Sequence, residues 1–212
     1  CADQYMGPAI KTKFVGLGLD VVAAESALLS EQAANELVTS VDQIDILVAN
    51  FAEAPMTAPL QSVLNEDWLH LFDVLVHPLM YISRAVVPQM LARKSGKIIA
   101  VTSAAPVKGL ANNSAYSAAR GAQNAFIKSI GLELARSNIQ ANAIAQNYIN
   151  NQTYYPNEIL DNEKFLDHVR RHVPTHKIGA AEETAELAAY LAGENCRHMV
   201  GQVIPLAGGW VT

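Results

Sequence analysis

Cysteine is scarce: the 212-residue chain holds two, Cys1 and Cys196. Such a pair makes no disulfide framework, and a reducing cytoplasm is the expected home. Basic residues are outnumbered, 15 Lys and Arg against 20 Asp and Glu, for a net charge of −5. With a pI near 5.6, this lacks the basic footprint of a nucleic-acid partner. The densest basic run, Arg170-Arg171-His172, sits among acidic neighbours and reads as a solvated helix face. No apolar run is expected to reach the roughly 18 residues of a membrane span, and no basic-then-apolar leader is present, so no membrane partner is expected. Metal ligands are thin as well. His168, His172 and His176 are spaced four apart, but Pro174 interrupts before the third and no carboxylate or cysteine completes a set. They read as solvent-facing histidines, and no metal is expected. Cys196 shows no sign of activation.

What is present is apolar material in a regular order. Half of the residues are hydrophobic, enough for one core, and residues 1–212 read as a single domain without repeats or linkers. Strand-like runs at Asp20–Ala24, Ile44–Asn50, Lys97–Thr102, Gln140–Ala145 and Gln202–Leu206 alternate with helical patterns. This predicts an α/β fold, a Rossmann-like doubly wound parallel sheet in three layers. Helices are expected over Pro8–Leu17, Ser30–Ser40, Asn65–Arg93, Asn113–Arg136, Asn162–His172 and Ala181–Ala192, with Ser30 and Asn65 as N-caps. Pro78 and Pro88 should kink or divide the third helix, with His77 in the core or at the kink. Residues Asn147–Asp161, polar and tyrosine-rich, read as a loop. A doubly wound fold places a strand before its first crossover helix, but here that helix begins within ten residues, so the first strand is expected to be absent.

Four segments carry a family resemblance: IDILVAN at 44–50, KIIAVTS at 97–103, YSAAR at 116–120 with the helix after it, and GQVIPLAGGW at 201–210. Ser103 precedes Tyr116 by thirteen residues and Arg120 follows it by four. In spacing and context these segments resemble the short-chain dehydrogenase/reductase superfamily over nearly the whole chain. The departures are concentrated where that superfamily holds its dinucleotide. Of the phosphate-loop glycines, the first falls on Cys1, the second on Tyr5, and only Gly7 survives. Arg120 stands for a lysine, Leu75 for an asparagine, and Gln146-Asn147 for the Pro-Gly that makes room for nicotinamide. Glu25 reads as a surface carboxylate rather than the acid that grips an adenosine ribose.

This set of changes resembles the halohydrin dehalogenase branch, which uses Ser, Tyr and Arg without any cofactor and fills the nicotinamide region with a halide-binding loop. The resemblance implies Ser103, Tyr116 and Arg120 as the catalytic trio, with Tyr5, Gln146, Asn147, Tyr148 and Tyr155 around a halide. The tyrosines are equally compatible with ordinary packing. Phe51, Pro55 and Met56 either line a substrate pocket or pack. Tyr116 and Arg120 at i and i+4 share one helix face, about 6 Å apart along the axis. A permanently cationic guanidinium favours the phenolate that a base requires. The partners implied are small vicinal haloalcohols, epoxides, halide and other small anions, and copies of the chain in a homotetramer. Competing expectations are an NAD(P)-dependent oxidoreductase with an eroded cofactor motif and a non-catalytic binding protein on the same scaffold.

Overall fold

The computed structural model describes residues 3–24 and 27–211. Cys1 and Glu25, both singled out above, lie outside them. Four strands, β1 (Ile46–Ala49), β2 (Gly96–Ser103), β3 (Ile139–Gln146) and β4 (Val203–Leu206), form one parallel sheet in the order β1-β2-β3-β4. The register pairs Ile46 with Lys97, Gly96 with Ile139, and Ala143 with Val203. Strands buried on both faces read as apolar runs, which is why Ile98–Val101 of β2 stands out in the sequence; β3 is as deeply buried but carries Gln140 and Asn142, both hydrogen-bonded.

Alternation along β2 sorts the two faces. Ile98 and Ala100 join a core with α2 (Glu31–Thr39), α3 (Asn65–Arg93) and α5 (Ser114–Leu134). Ile99 and Val101 join the opposite core, where α1 (Gly7–Gly16) packs on α8 (Ala181–Ala192) and the thiol of Cys196 is buried. The helix-sheet-helix layering is a Rossmann-like α/β fold. Between α5 and the turn at Gly201 the backbones approach so closely that a Cβ on Gly131 would lie 2.6 Å from the Gly201 Cα.

Capping explains several boundaries. The Ser30 side chain accepts from the Ala33 N–H, and Asn162 accepts from the N–H groups of Lys164 and Phe165 to start α7 (Glu163–His172). Asn65 is not a cap: Leu64 takes that position with no side-chain bond, and Asn65 opens the helix. The expected loop after β3 contains a one-turn helix, α6 (Asn157–Leu160), and a second, α4 (Ala105–Lys108), follows β2.

Four further expectations are corrected. Pro78 and Pro88 do not divide α3, which runs unbroken for 29 residues. Pro78 withholds the N–H that the Val74 carbonyl would receive, but one residue further Gln123 of α5 donates to the Leu75 carbonyl at 2.7 Å. Packing against α5 thus supports the helix where the proline weakens it. His77 is not in the core, being half-exposed and paired with Asp73 at 3.0 Å. The same α3 is, by length and composition, long and apolar enough to cross a membrane. It nevertheless commits Leu79, Ile82, Val86 and Met90 to the core beside the sheet. Finally, Asp20–Ala24 forms no strand. These residues and β1 line one cavity of about 380 Å³, and among the described residues no ladder joins them.

Candidate active site

The strand ends that carry the sequence signature converge at one place. Ser103 closes β2 and Gln146 closes β3, and both line a cavity of about 250 Å³ together with Tyr116 and Arg120 from α5. The mouth of an open parallel sheet, outside the carboxyl ends of its strands, is the usual location of a site in such folds.

Ser103 is buried, its Oγ accepting from the Ala105 N–H at 3.1 Å and its carbonyl from the Asn124 amide at 3.2 Å. A hydroxyl that accepts in this way keeps its own hydrogen to donate. Tyr116 and Arg120 are 4% and 2% exposed, so their contact is made away from bulk water. Arg120 Nε donates to the Tyr116 oxygen at 3.0 Å. Its Nη1 donates to the Phe51 carbonyl at 2.7 Å and to Gln123 Oε1 at 2.9 Å, and its Nη2 to the Tyr154 oxygen at 3.2 Å. Burial alone would lower the Arg120 pKa, but charge interaction and hydrogen bonding with Tyr116 and Tyr154 outweigh it and hold it above the usual arginine value. The guanidinium is therefore a permanent buried cation with its donors engaged.

On the opposite wall, Thr184 of α8 donates to Gln146 Oε1 at 3.0 Å and so sets the orientation of that amide. The Asn147 N–H bonds to the Leu206 carbonyl at 3.1 Å, which continues the sheet by one step into the cavity wall. Tyr148 takes a left-handed backbone, φ +51°, and shares a 3.0 Å hydrogen bond with His168 Nε2. Burial raises its pKa. Tyr155 is raised further, first by burial and then by Tyr148 and Tyr116, while a bond with the Tyr148 backbone pulls the other way. These phenols are neutral donors over the physiological range.

The structure brings together Ser103, Tyr116, Arg120, Gln146, Asn147, Tyr148, Tyr155 and Pro55 around the one cavity. Three other residues singled out in the sequence lie back from it. Tyr5 lies against Tyr154, ring centroids 5.1 Å apart, rather than on the cavity surface. Phe51 is buried in the core with α3 and α5, and it contributes its carbonyl to Arg120 rather than its ring to the cavity. Met56 packs with the cluster around Leu71 and Leu75. Gln123, Asn124 and Thr184 carry site geometry that the sequence pattern does not reveal, and Tyr154, whose Tyr-Tyr-Pro segment at 154–156 shares the family resemblance, has contacts that the resemblance does not assign. Among the described residues no group of three or more His, Cys, Asp or Glu could hold a metal ion. His168 and His172 stack on each other at 4.1 Å, and the Nδ1 atoms of His172 and His176 bond to backbone carbonyls.

A family model described as enoyl-(acyl carrier protein) reductase matches residues 6–211. The 2-dehydro-3-deoxy-L-rhamnonate dehydrogenase (NAD(+)) of Sphingomonas sp. (strain SKA58) is 29% identical over 203 residues, covering 95% of this chain and 77% of that protein. A solved structure titled "Dehalogenation enzyme" superposes with a TM-score of 0.92 at 27% identity, over 99% of this chain and 95% of that one. "Halohydrin dehalogenase (HheC) bound to ethyl (2S)-oxiran-2-ylacetate" gives a TM-score of 0.86 at 24% identity, over 100% and 95% of the two chains, a likeness of fold. Among eight curated relatives the chain spans 59% to 80% of their lengths. The model matches nearly every residue from the first helix to the last strand, and the chain belongs to the short-chain dehydrogenase/reductase superfamily.

Proposed function

We propose that the chain is a halohydrin dehalogenase, closing vicinal haloalcohols to epoxides without a cofactor and running the ring opening in reverse with small anions. The observation that carries it is the buried Arg120 bonded through Nε to Tyr116, with Ser103 in the same small cavity. In this mechanism Ser103 donates to the substrate oxygen and the Tyr116 phenolate takes the hydroxyl proton. The resulting alkoxide forms a bond to the neighbouring carbon as the carbon–halogen bond breaks, and the halide leaves with the electron pair. Arg120 stabilises the anionic phenol oxygen before the proton arrives, and holding nucleophile and leaving group in one molecule supplies much of the rate. Gln146, Asn147, Tyr148 and Tyr155 offer amide and hydroxyl donors to the departing halide without a strong base among them.

The superfamily's dinucleotide does not fit the residues present. Tyr5 keeps a glycine-like left-handed backbone, φ +53°, but directs a ring against Tyr154. A second reading, a nicotinamide-dependent oxidoreductase, draws on relatives named as dehydrogenases and reductases.

Bromide and NAD separate the two. Bromide soaked into crystals should give an anomalous peak beside Asn147 and Tyr148, on the far side of the substrate carbon from Ser103, because displacement expels the halide opposite the attacking oxygen. NADH should neither change its fluorescence nor raise the melting temperature when mixed with the protein. Ordered NAD in this region, or bromide at surface lysines alone, would shift the assignment to the oxidoreductase.

A further inference from the structure

Tyr154 has partners beyond those that packing would require. Its hydroxyl accepts from Arg120 Nη2 at 3.2 Å and donates to the Glu53 carbonyl at 2.7 Å. It thereby joins three parts of the site: the segment after β3, the segment after β1, and helix α5. Its backbone N–H bonds to Asn151 Oδ1 at 2.8 Å, and its ring lies against Tyr5 and Tyr155 at 5.1 and 6.4 Å. The phenol is fixed at both ends.

We infer that Tyr154 is a positioning residue, a neutral phenol that locks the Arg120 fork so that its Nε faces Tyr116. A guanidinium is planar and rigid, so anchoring both outer nitrogens sets the direction of the third. Phe51 and Gln123 anchor Nη1, and Tyr154 anchors Nη2. Without Tyr154 the plane can turn about the Nη1 contacts, and Nε swings away from Tyr116.

Arg120 thus serves two phenols, and the geometry decides which of them can ionise. The Tyr154 proton is committed to the Glu53 carbonyl. Removing it would set a phenolate oxygen against a carbonyl oxygen at 2.7 Å with no donor between them. Burial, and beyond it the Tyr116 hydroxyl, act in the same direction and outweigh Arg120, holding the Tyr154 pKa far above the usual tyrosine range. The anionic role passes to Tyr116, whose oxygen receives Nε–H.

The inference rests on Tyr116 as the base, and its test has one readout that needs no turnover. Tyr154→Phe keeps the ring and deletes only the hydroxyl. Its kcat for halide release should fall about tenfold, equivalent to ~1.4 kcal/mol, with KM within about twofold, as expected when positioning rather than binding is lost. The pH at which the Tyr116 phenolate absorbance appears, isolated by subtracting the matched Tyr116→Phe spectrum, should move upward by about one unit. In an Arg120→Lys background, where no fork remains to be held, Tyr154→Phe should change kcat by less than about twofold. Equal losses in both backgrounds, or an unmoved Tyr116 titration, would overturn the assignment. A wild-type protein that releases no halide sinks the dehalogenase reading, while the titration still decides the role of Tyr154. If Tyr154→Phe does not fold, NMR of the wild type decides. A slowly exchanging Tyr154 hydroxyl proton close to residue 53 supports the neutral anchor, and an ionised Tyr154 at turnover pH refutes it.

Discussion

Tyr116→Phe lowers halide release on the order of 10³-fold, the scale of losing a positioned general base, while the protein stays folded. The substitution keeps the ring that packs with Leu71 and Leu75 and removes only the oxygen bonded to Arg120. It leaves the buried Nε–H of Arg120 unpaired, at a cost of about 1–3 kcal/mol. For a chain of this length each kcal/mol corresponds to roughly 2–4 °C of melting temperature. Circular dichroism and a melting curve would therefore show a native spectrum with a modestly lower midpoint. A variant retaining most of its activity would remove Tyr116 from the chemistry altogether.

Ser103→Ala should cost on the order of 10²-fold in kcat, the scale for removing one preorganised donor aimed at a developing oxyanion. The loss has two sources that kinetics can separate. One is the hydrogen bond to the substrate oxygen, which strengthens as that oxygen loses its proton and so acts on kcat. The other is local: Ser103 Oγ also receives the Ala105 N–H at the start of α4, and its removal leaves that backbone donor unpaired. The local cost appears in the melting temperature of the free protein, whereas the catalytic cost appears in steady-state halide release. A variant that melts lower but keeps wild-type kcat would make Ser103 a structural support for α4 and nothing more.

The parts of this site legible in the sequence are those set by local periodicity. Ser103 and Gln146 end strands that are buried along nearly their whole length, and the Ile98–Val101 run of β2 makes the first of them plain. Tyr116 and Arg120 meet because four residues make about one helical turn. Ser30 and Asn162 announce helix starts by the side chains they carry. What sequence did not reveal is set by contacts between distant segments. Tyr154 reaches Arg120 across 34 residues and the Glu53 carbonyl across 101, and Thr184 reaches Gln146 across 38. No spacing rule encodes such pairs. The same limit explains two of the corrected expectations. Pro78 breaks a helix in isolation, but Gln123 from another helix supports the backbone beside it. Asp20–Ala24 has strand composition, yet a strand exists only where a partner strand lies alongside.

One measurement addresses cofactor-free dehalogenation directly. Purified protein, freed of nucleotides, is mixed with a small vicinal bromoalcohol in weak buffer, and pH and free bromide are followed together. Cofactor-free dehalogenation predicts one proton and one bromide released per epoxide formed, with no change in rate when NAD(H) or NADP(H) is added. Absence of bromide release, together with nicotinamide-dependent oxidation of an alcohol, would contradict it.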